Sequence, residues 1–449
     1  MQLMPNEVEH ILHVLNQHGH EAYVVGGCVR DSLMGIAPAD WDVCTSATPE
    51  QIMQCFPQVK IIETGLKHGT VTLRINHKSF EVTAFKTKGI YAARRPPDSA
   101  PVVCGLETDV SHRDFTINAM AYHPQRGLID LFGGVEDLRT RIIRGVGDVN
   151  ARFQEDGLRI LRAMRFASTL NFTIENHTSR VMFENRHLLQ HIAPERIAAE
   201  LNKLLTGAAA GAVLRVYAQI LCEIIPEIRE IINFNQNNPH HHLNVWEHTL
   251  SGLDCIARGM TLRLTMLFHD IAKPKCYTLH DGTGHFYKHP QIGRDMSKAI
   301  MRRLRYGHDI VNDVSSLILY HDVEILPQRK NILRWLNKLG PEQFRRLLEV
   351  KRADSLAQSP SYQQDKQNSL NATAVILDEC IQEKACFSVK DLAVNGRDLM
   401  DLDITEGQVI GATLNHLLEK VIDGAVENNK NDLLVCAKEL ITGCQLHES

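Results

Sequence analysis

The feature that most restricts how this chain can fold is a change of hydrophobic period near Asp137. Upstream of it, Val71, Leu73 and Ile75 share one face; after a turn near Asn76-His77-Lys78, Phe80, Val82 and Ala84 share another, which is the pattern of a β-hairpin. Downstream, apolar residues recur at helical spacing as far as the C-terminus. The pattern therefore predicts an α+β chain: a head with a mixed β-sheet and helices, followed by an all-α body. Its 449 residues correspond to about three domains. Within the head, Val8, Ile11, Leu12 and Leu15 predict an amphipathic helix over 1–20, and Ala22-Tyr23-Val24-Val25 reads as a strand halted by Gly26-Gly27. A short helix resumes from Val29 to Met34, and Thr48-Pro49-Glu50 opens another. Pro96, Pro97 and Pro101, with Arg94-Arg95, mark a loop expected to be mobile. Polar breaks at 233–239 and 360–368 are the candidate linkers.

Composition narrows the class. Hydrophobic residues make up 44% and charged residues 23%, which excludes a disordered or collagen-like chain. No run approaches the roughly 18 apolar residues of a membrane helix, so no membrane partner is expected. The N-terminus carries Glu7 and Glu9 and no early Lys or Arg, so it does not read as a secretory signal. Eleven scattered cysteines without a CxxC pair fit reduced thiols and a cytoplasmic location. The net charge of −4 does not announce a nucleic-acid binder, but the charge is uneven: seven arginines face three acids between Arg139 and Arg165. Ten of the 23 histidines fall between His240 and His321.

Gly26-Gly27-Cys28-Val29-Arg30-Asp31 places two glycines between a strand and a helix, where a phosphate can approach backbone N–H groups. Asp40 and Asp42 are spaced to share one face of a strand. Two carboxylates that close repel unless a divalent cation lies between them, an arrangement suited to Mg²⁺ and a triphosphate. The competing reading is a polar loop with two solvated aspartates. Together the two segments resemble the nucleotidyltransferase superfamily that includes DNA polymerase beta. Glu81, on the polar side of its strand, is a candidate third carboxylate to deprotonate an attacking hydroxyl, or else an exposed strand glutamate.

Asp114 and Asn118, four residues apart, share a face if helical and can both bond a ribose hydroxyl; an N-cap and a surface asparagine are the bland alternative. The segment from Glu155 to Arg165 reads as a helix, with Leu158, Leu161 and Met164 on an apolar stripe and Asp156, Arg159 and Arg162 on a polar one. Spacing alone makes that polar stripe a solvated ion-paired face.

In order along the chain, GGCVRD with DWD, ETGLKHGTVTL, FEVTAFK, GIYAARRPP, HRDFTINAMAY, DLFGG, EDGLRILRAMRFA and APERIAAEL resemble the class II tRNA nucleotidyltransferases, the CCA-adding enzymes and their bacterial poly(A) polymerase relatives. These segments span residues 22–201. The tail LAVNGRDLMDLDITEGQVIGATLNHLLEKV is also similar to the family's C-terminal segment. The resemblance implies a tRNA partner, CTP and ATP as substrates, and attack of the tRNA 3′-hydroxyl on the α-phosphate. It implies Asp40 and Asp42 as Mg²⁺ ligands, Gly26, Gly27, Arg30, Arg113, Asp114 and Asn118 around the nucleotide, and Asp156 and Arg159 selecting C or A, with Arg162 nearby. It also implies that the loop 86–101 helps the switch from C to A. Two departures stand out: His112 where the family often has arginine, and Gly157 where it commonly has proline. Poly(A), CC-adding and A-adding enzymes share most of these motifs and remain alternatives.

His248, His269-Asp270, His289 and His321 resemble the HD phosphohydrolase pattern, LNVWEHTL and MLFHDIAKP most closely. Imidazoles with a carboxylate suit a second divalent metal that activates water. His240-His241-His242 reads as solvated linker. The expected parts are a nucleotidyltransferase head (1–138), a helical neck (139–232), an HD domain (240–355) and a helical tail (356–449). A phosphohydrolase with an inactive head ranks lower, because Asp40, Asp42, Asp156 and Arg159 are all present. Basic residues from Arg302 to Arg346 are candidates for gripping RNA phosphates. Oligomeric state is open.

Overall fold

The computed structural model describes residues 4–62, 65–66, 69–85, 105–404 and 406–445. The loop 86–101 and part of the ETGLKHG segment lie outside the described residues. The chain divides into two compact units, one of residues 1–213 with 219–224 and one of residues 214–218 with 225–449.

The first unit begins with α1 (Asn6–Gln17), β1 (Ala22–Val25), α2 (Gly27–Leu33), β2 (Asp42–Thr45), α3 (Pro49–Cys55), β3 (Lys60–Ile62), β4 (Thr70–Ile75) and β5 (Lys78–Ala84). Beyond residue 104 come α4 (Leu106–Ser111), β6 (Met120–His123), β7 (Gly127–Asp130) and α5 (Gly134–Thr140). The seven strands form one sheet in the order β3-β4-β5-β2-β1-β6-β7. The β2–β5 pair is parallel and the other neighbouring pairs are antiparallel. The expected hairpin is β4–β5, turning through Asn76 and His77 at positive φ.

Both faces of the sheet are covered. On one, Val24, Val43, Val71, Leu73 and Val82 pack with Val8, Ile11, Leu12 and Leu15 of α1. On the other, Tyr23, Val25 and Cys44 pack with Leu106 and Val110 of α4. That is why β1 is a continuous apolar run rather than an alternating one. The four core residues of α1 are each at most 1% exposed, and burying such a side chain stabilises by about 1.5–3 kcal/mol. Thr48 caps α3 through a reciprocal bond pair with Gln51, ahead of Pro49.

The unit continues with α6 (Val149–Glu155), α7 (Leu158–Leu170), α8 (Asn176–Asn185) and α9 (Pro194–Leu205); α10 (Ala210–Ile224), with the non-helical Tyr217, is divided between the units, residues 214–218 belonging to the second. The segment expected as one helix from Glu155 is therefore interrupted: Asp156 is extended (φ −152°), and α7 starts after Gly157. A Cβ on Gly157 would lie 2.8 Å from Leu188 Cβ and 3.1 Å from its carbonyl oxygen, which accounts for a residue without a side chain there.

The second unit is helical, with one short antiparallel hairpin of Thr278–His280 and Thr283–His285. It contains α11 (Val245–Cys255), α12 (Met260–Phe268), α13 (His289–Arg303), α14 (His308–Tyr320), α15 (Arg329–Leu356) and α16 (Pro360–Gln382), followed by α17 (Gly396–Met400), α18 (Gly407–Ile422) and α19 (Lys430–Gln445). One linker expectation fails here, and the other holds with an exception. Residues 360–368 are the start of α16, where proline fits a first turn. Within 233–239, Gln236 is buried and bonded to Lys273 and to the Leu243 carbonyl. Among the described residues, no helix is long and apolar enough to cross a membrane.

Candidate active site and a buried histidine cluster

Sheet register assembles the head site. Asp42, the first residue of β2, is paired with Val25 of β1 on one side and with Glu81 of β5 on the other. Asp42 and Glu81 thus stand side by side on adjacent strands. Asp40 precedes β2 and is exposed, so the strand geometry expected for the Asp40–Asp42 pair is not what brings it near. Burial pushes the Asp42 carboxyl up, Glu81 adds to this, Arg113 offsets it and Asp40 adds again. Such crowded oxygen donors are the chemistry a hard divalent cation relieves.

Gly26 has φ +81° and ψ −135°, a conformation that glycine tolerates. A Cβ there would lie 2.8 Å from Arg113 Nη1 and 3.8 Å from Asp42 Oδ2. The glycine therefore keeps open the space between a carboxylate and a guanidinium. Arg113 is pinned by Asp109 at 3.3 Å, while among the described residues its buried Nε has no acceptor. A buried donor left without a partner costs about 1–3 kcal/mol, and the guanidinium reaches the space beside Gly26 through Nη1, an anion-accepting group next to Asp42.

Behind it runs a chain of bonds. Arg30 Nη1 donates to Asn118 Oδ1 (2.6 Å), and Asn118 Nδ2 donates to Asp114 Oδ1 (3.0 Å). Arg162 donates to Asp114 Oδ2 through Nε (2.8 Å) and Nη2 (2.6 Å). Burial opposes ionisation of Asp114, but Arg162, Asn118 and the Phe115 N–H outweigh it and hold the carboxyl below its ordinary range. Asp114 and Asn118 do not share an α-helix: Thr116–Asn118 is a single 3₁₀ turn. Asp137, at the end of the head, accepts from Thr116 and Arg144.

Asp156 and Arg159 do not pair with each other. Arg159 Nη1 donates to Glu155 Oε2 (3.0 Å) and to the Arg152 carbonyl (3.0 Å), and its Nη2 donates to the His112 carbonyl (2.8 Å). Asp156 accepts from Arg196 Nη2 at 2.7 Å. His112, the departure from arginine, has Nδ1 2.5 Å from Arg152 Nη1 and 3.4 Å from Glu155 Oε1.

The second unit gathers all five residues of the histidine expectation. His269 and Asp270 follow the end of α12 rather than sitting within it. His248, His269, Asp270 and Asp354 offer ligand atoms within 4.8 Å of one another, and so do Asp270, His289 and His321. Asp270 belongs to both groups. Its Oδ2 lies 3.5 Å from His248 Nε2 and 3.2 Å from His269 Nε2. Its Oδ1 lies 3.4 Å from His289 Nε2 and 3.7 Å from His321 Nε2. The four Nδ1–H groups donate to the carbonyls of Ala357, Met266, Phe286 and Ile318 at 3.2, 2.8, 2.8 and 2.7 Å. Each Nδ1 thereby serves as a donor and each Nε2 is the atom turned toward the carboxylates, which is how metal-ligating histidines are held. Two acceptor atoms as close as His248 Nε2 and Asp354 Oδ1 (2.9 Å) need a proton or a cation between them. Burial lowers the His269 pKa, but Asp270 and Asp354 outweigh it and push the imidazolium up to about 10. Burial, with repulsion from His289 and His269, leaves His321 below its ordinary value despite its bond to Asp270. Lys273 Nζ stands 2.7 Å from Asp270 Oδ2 and also donates to Gln236 Oε1, so the ammonium adds positive charge beside the shared carboxylate.

Three family models match the chain: a Poly A polymerase head domain over residues 22–144, an RNA and SrmB-binding site of polymerase A over 171–231, and a tRNA nucleotidyltransferase domain 2 over 292–437. A CCA-adding enzyme of Ligilactobacillus salivarius is 30% identical over 440 residues, covering 96% of this chain and 95% of that one. The chain belongs to the CCA-adding enzyme family.

A second relative of that family, from Geobacillus thermodenitrificans, is 44% identical over 221 residues, so the match spans only about half its length (54%) and 49% of this chain. Among solved structures, a Bacillus stearothermophilus CCA-adding enzyme in complex with CTP superposes with a TM-score of 0.71 at 27% identity, covering 99% of this chain and 100% of that one. A Thermotoga maritima family member complexed with tRNA shares the fold, with a TM-score of 0.58 at 19% identity.

His248, His269, Asp270 and His289 lie between the second and third family matches, in 232–291. Asp354 was not among the sequence candidates. Its signal was an acid inside an apolar stripe of α15, with Leu347 and Val350 before it and Ala357 after it, all buried. His241 also differs from expectation. It is partly buried with its ring 4.8 Å from that of His248, and burial depresses its pKa to about 2. Among the described residues, Asp40, Asp42 and Glu81 do not close into a comparable trio. Of the basic candidates, Arg303, Arg329, Lys330, Arg334, Arg345 and Arg346 are occupied by ion pairs within the protein.

Proposed function

We propose that this chain completes tRNA 3′ ends, adding C, C and A from CTP and ATP. The observation that carries this reading is the alignment of Asp42 with Glu81 on adjacent strands, facing an Arg113 whose buried Nε lacks an acceptor among the described residues. Asp40 and Asp42 fit a divalent cation by donor type, and Mg²⁺, the expected ion, supplies charge neutralisation of the triphosphate when bound. Arg113, Arg30 and the Gly27 N–H hold the phosphates, the Gly26 N–H being taken by the Met120 carbonyl. Asp114 and Asn118 orient Arg30 and Arg162 and offer polar atoms to the ribose. Glu81 takes the proton of the tRNA 3′-hydroxyl as its oxygen bonds to the α-phosphorus. The bond from that phosphorus to the bridging oxygen breaks, and pyrophosphate leaves.

Asp156 and Arg159 read the base. Cytosine and adenine both present an amino donor beside a ring-nitrogen acceptor; uracil and guanine present the reverse. A carboxylate acceptor next to a guanidinium donor therefore suits the first two bases and rejects the others. The test is addition to a tRNA lacking its terminal CCA. CTP alone should add two residues, and CTP with ATP three. A long ladder with ATP alone would replace this reading by poly(A) synthesis, and arrest after CC or addition of A only would assign a partial enzyme.

A second reading is favoured by the four pinned imidazoles. His248, His269, Asp270 and Asp354, and His289 and His321 with the shared Asp270, fit divalent cations, which when bound would activate water toward phosphoesters such as a 2′,3′-cyclic phosphate. This corresponds to an HD domain over 240–355 between a head and neck (1–138, 139–232) and a tail (356–449). Metal analysis and phosphodiesterase assays on the parent and Asp270→Ala decide it. Metal and activity lost together in the variant support it, and neither in the parent refutes it.

A further inference from the structure

We infer that Arg196, in the first turn of α9, is a positioning residue for nucleotide selection: it holds the Asp156 carboxylate in the orientation that presents one acceptor to the base. The inference rests on the proposed base-reading role of Asp156 and Arg159.

Asp156 is not aimed by a helix. It sits in the break between α6 and α7 with φ −152°, so the pitch of neither helix fixes its side chain. Three groups hold the carboxylate. Oδ1 accepts from the Leu158 N–H (3.1 Å) and from Arg196 Nη1 (3.4 Å), and Oδ2 accepts from Arg196 Nη2 (2.7 Å). A carboxylate offers about four lone-pair sites. Those three contacts leave about one, which is what a single exocyclic amino group requires.

The same count holds for its neighbour. Of the five N–H groups of Arg159, three are committed to Glu155, the Arg152 carbonyl and the His112 carbonyl. About two remain for the acceptor edge of the base. Arg159 is fixed by α6 and the segment before Asp114; without Arg196, Asp156 would keep only the Leu158 N–H. The Arg196 side chain is 52% exposed and that of Asp156 28%. An ion pair so exposed adds little to stability, and removing Arg196 opens no buried cavity, so an effect on selection is separable from an effect on folding.

The experiment measures steady-state incorporation of CTP, ATP, UTP and GTP on tRNA acceptors by the full chain and by Arg196→Ala, Arg196→Gln and Arg196→Lys, with Asp156→Ala alongside. For the alanine and glutamine variants, KM for CTP and ATP should rise about tenfold with kcat little changed, and discrimination against UTP and GTP should fall by about the same factor. Arg196→Lys should recover part of both effects, because a point charge replaces a bidentate fork. Unchanged KM and discrimination in folded Arg196→Ala and Arg196→Gln, with discrimination lost in Asp156→Ala, overturn the role of Arg196 alone. Unchanged discrimination in Asp156→Ala overturns the base-reading assignment, and the present inference with it.

Discussion

The two acid-bearing sites of this chain solve opposite problems. The head site is built from oxygen donors at the end of a sheet: Asp40 and Glu81 are exposed, Asp42 is partly buried, and they do not close into a tight set. The second-unit cluster is largely buried, opening only at Asp354, whose side chain is 18% exposed. His248 and His269 are 0% exposed, Asp270 is 1% exposed, and every ring is locked by a backbone carbonyl. An open carboxylate edge suits a cation that arrives and leaves with a triphosphate. A largely buried imidazole cage suits one that stays, with nitrogen donors that favour transition metals over Mg²⁺. Reactive chemistry on an exchangeable cation and tenure of a resident one thus call for different donors and different burial.

The sharpest break of that comparison is Asp42→Ala, which should reduce nucleotide addition by at least about 1,000-fold, while the metal content of the second unit, read by elemental analysis, stays that of the parent. The reciprocal change, Asp270→Ala, should empty the cage, because it removes the one ligand common to both groups; nucleotide addition should stay within about twofold, assayed on the same preparation.

A pH series sharpens the contrast. In the metal-free cage His269 is protonated below about 10, so loading expels a proton, and the apparent affinity for Zn²⁺ or Mn²⁺ should weaken about tenfold per pH unit as pH falls. The head, with carboxylate donors, should show no such slope across neutral pH. The same raised pKa has a stability consequence of fixed sign. In metal-free protein the His269 contribution is complete below its ordinary 6.5 and is lost as pH rises through about 10, which thermal melts would follow. The smallest effect is expected from Gly26→Ala. Its positive φ and the approach of Arg113 should cost about 1–3 kcal/mol in folding or in displaced site geometry, seen as a lower melting temperature and weaker nucleotide binding.

The head was legible in the sequence because local signals and site chemistry coincide there. The run Ala22–Val25 ended by Gly26-Gly27, and the alternation at Phe80, Glu81 and Val82, fixed both the strands and the residues they display. What could not be read was pairing between strands: that Asp42 meets Glu81 follows from a parallel register, which no local pattern encodes. The break at Asp156 was hidden because Glu155–Arg165 carries helical spacing on both sides of it. The cage was half legible. The histidines stood out by type, whereas Asp354 comes from a helix 106 residues after His248, and the carbonyls that set the tautomers have no sequence signature. Residues 360–368 misled because polar composition was read as a break in the chain, when Pro360 begins a helix; residues 233–239 do connect two elements, but Gln236 within them bonds inward to Lys273.

The interruption between α6 and α7 has a consequence for how preference among nucleotides can drift over time. A side chain carried on a helix is steered by pitch, and re-aiming it means rebuilding the helix. One carried at a gap is steered by whichever neighbour grips it. Here that neighbour belongs to α9, so under the proposed base-reading role substitutions some forty positions away in the chain would retune discrimination while Asp156 and Arg159 keep their identity.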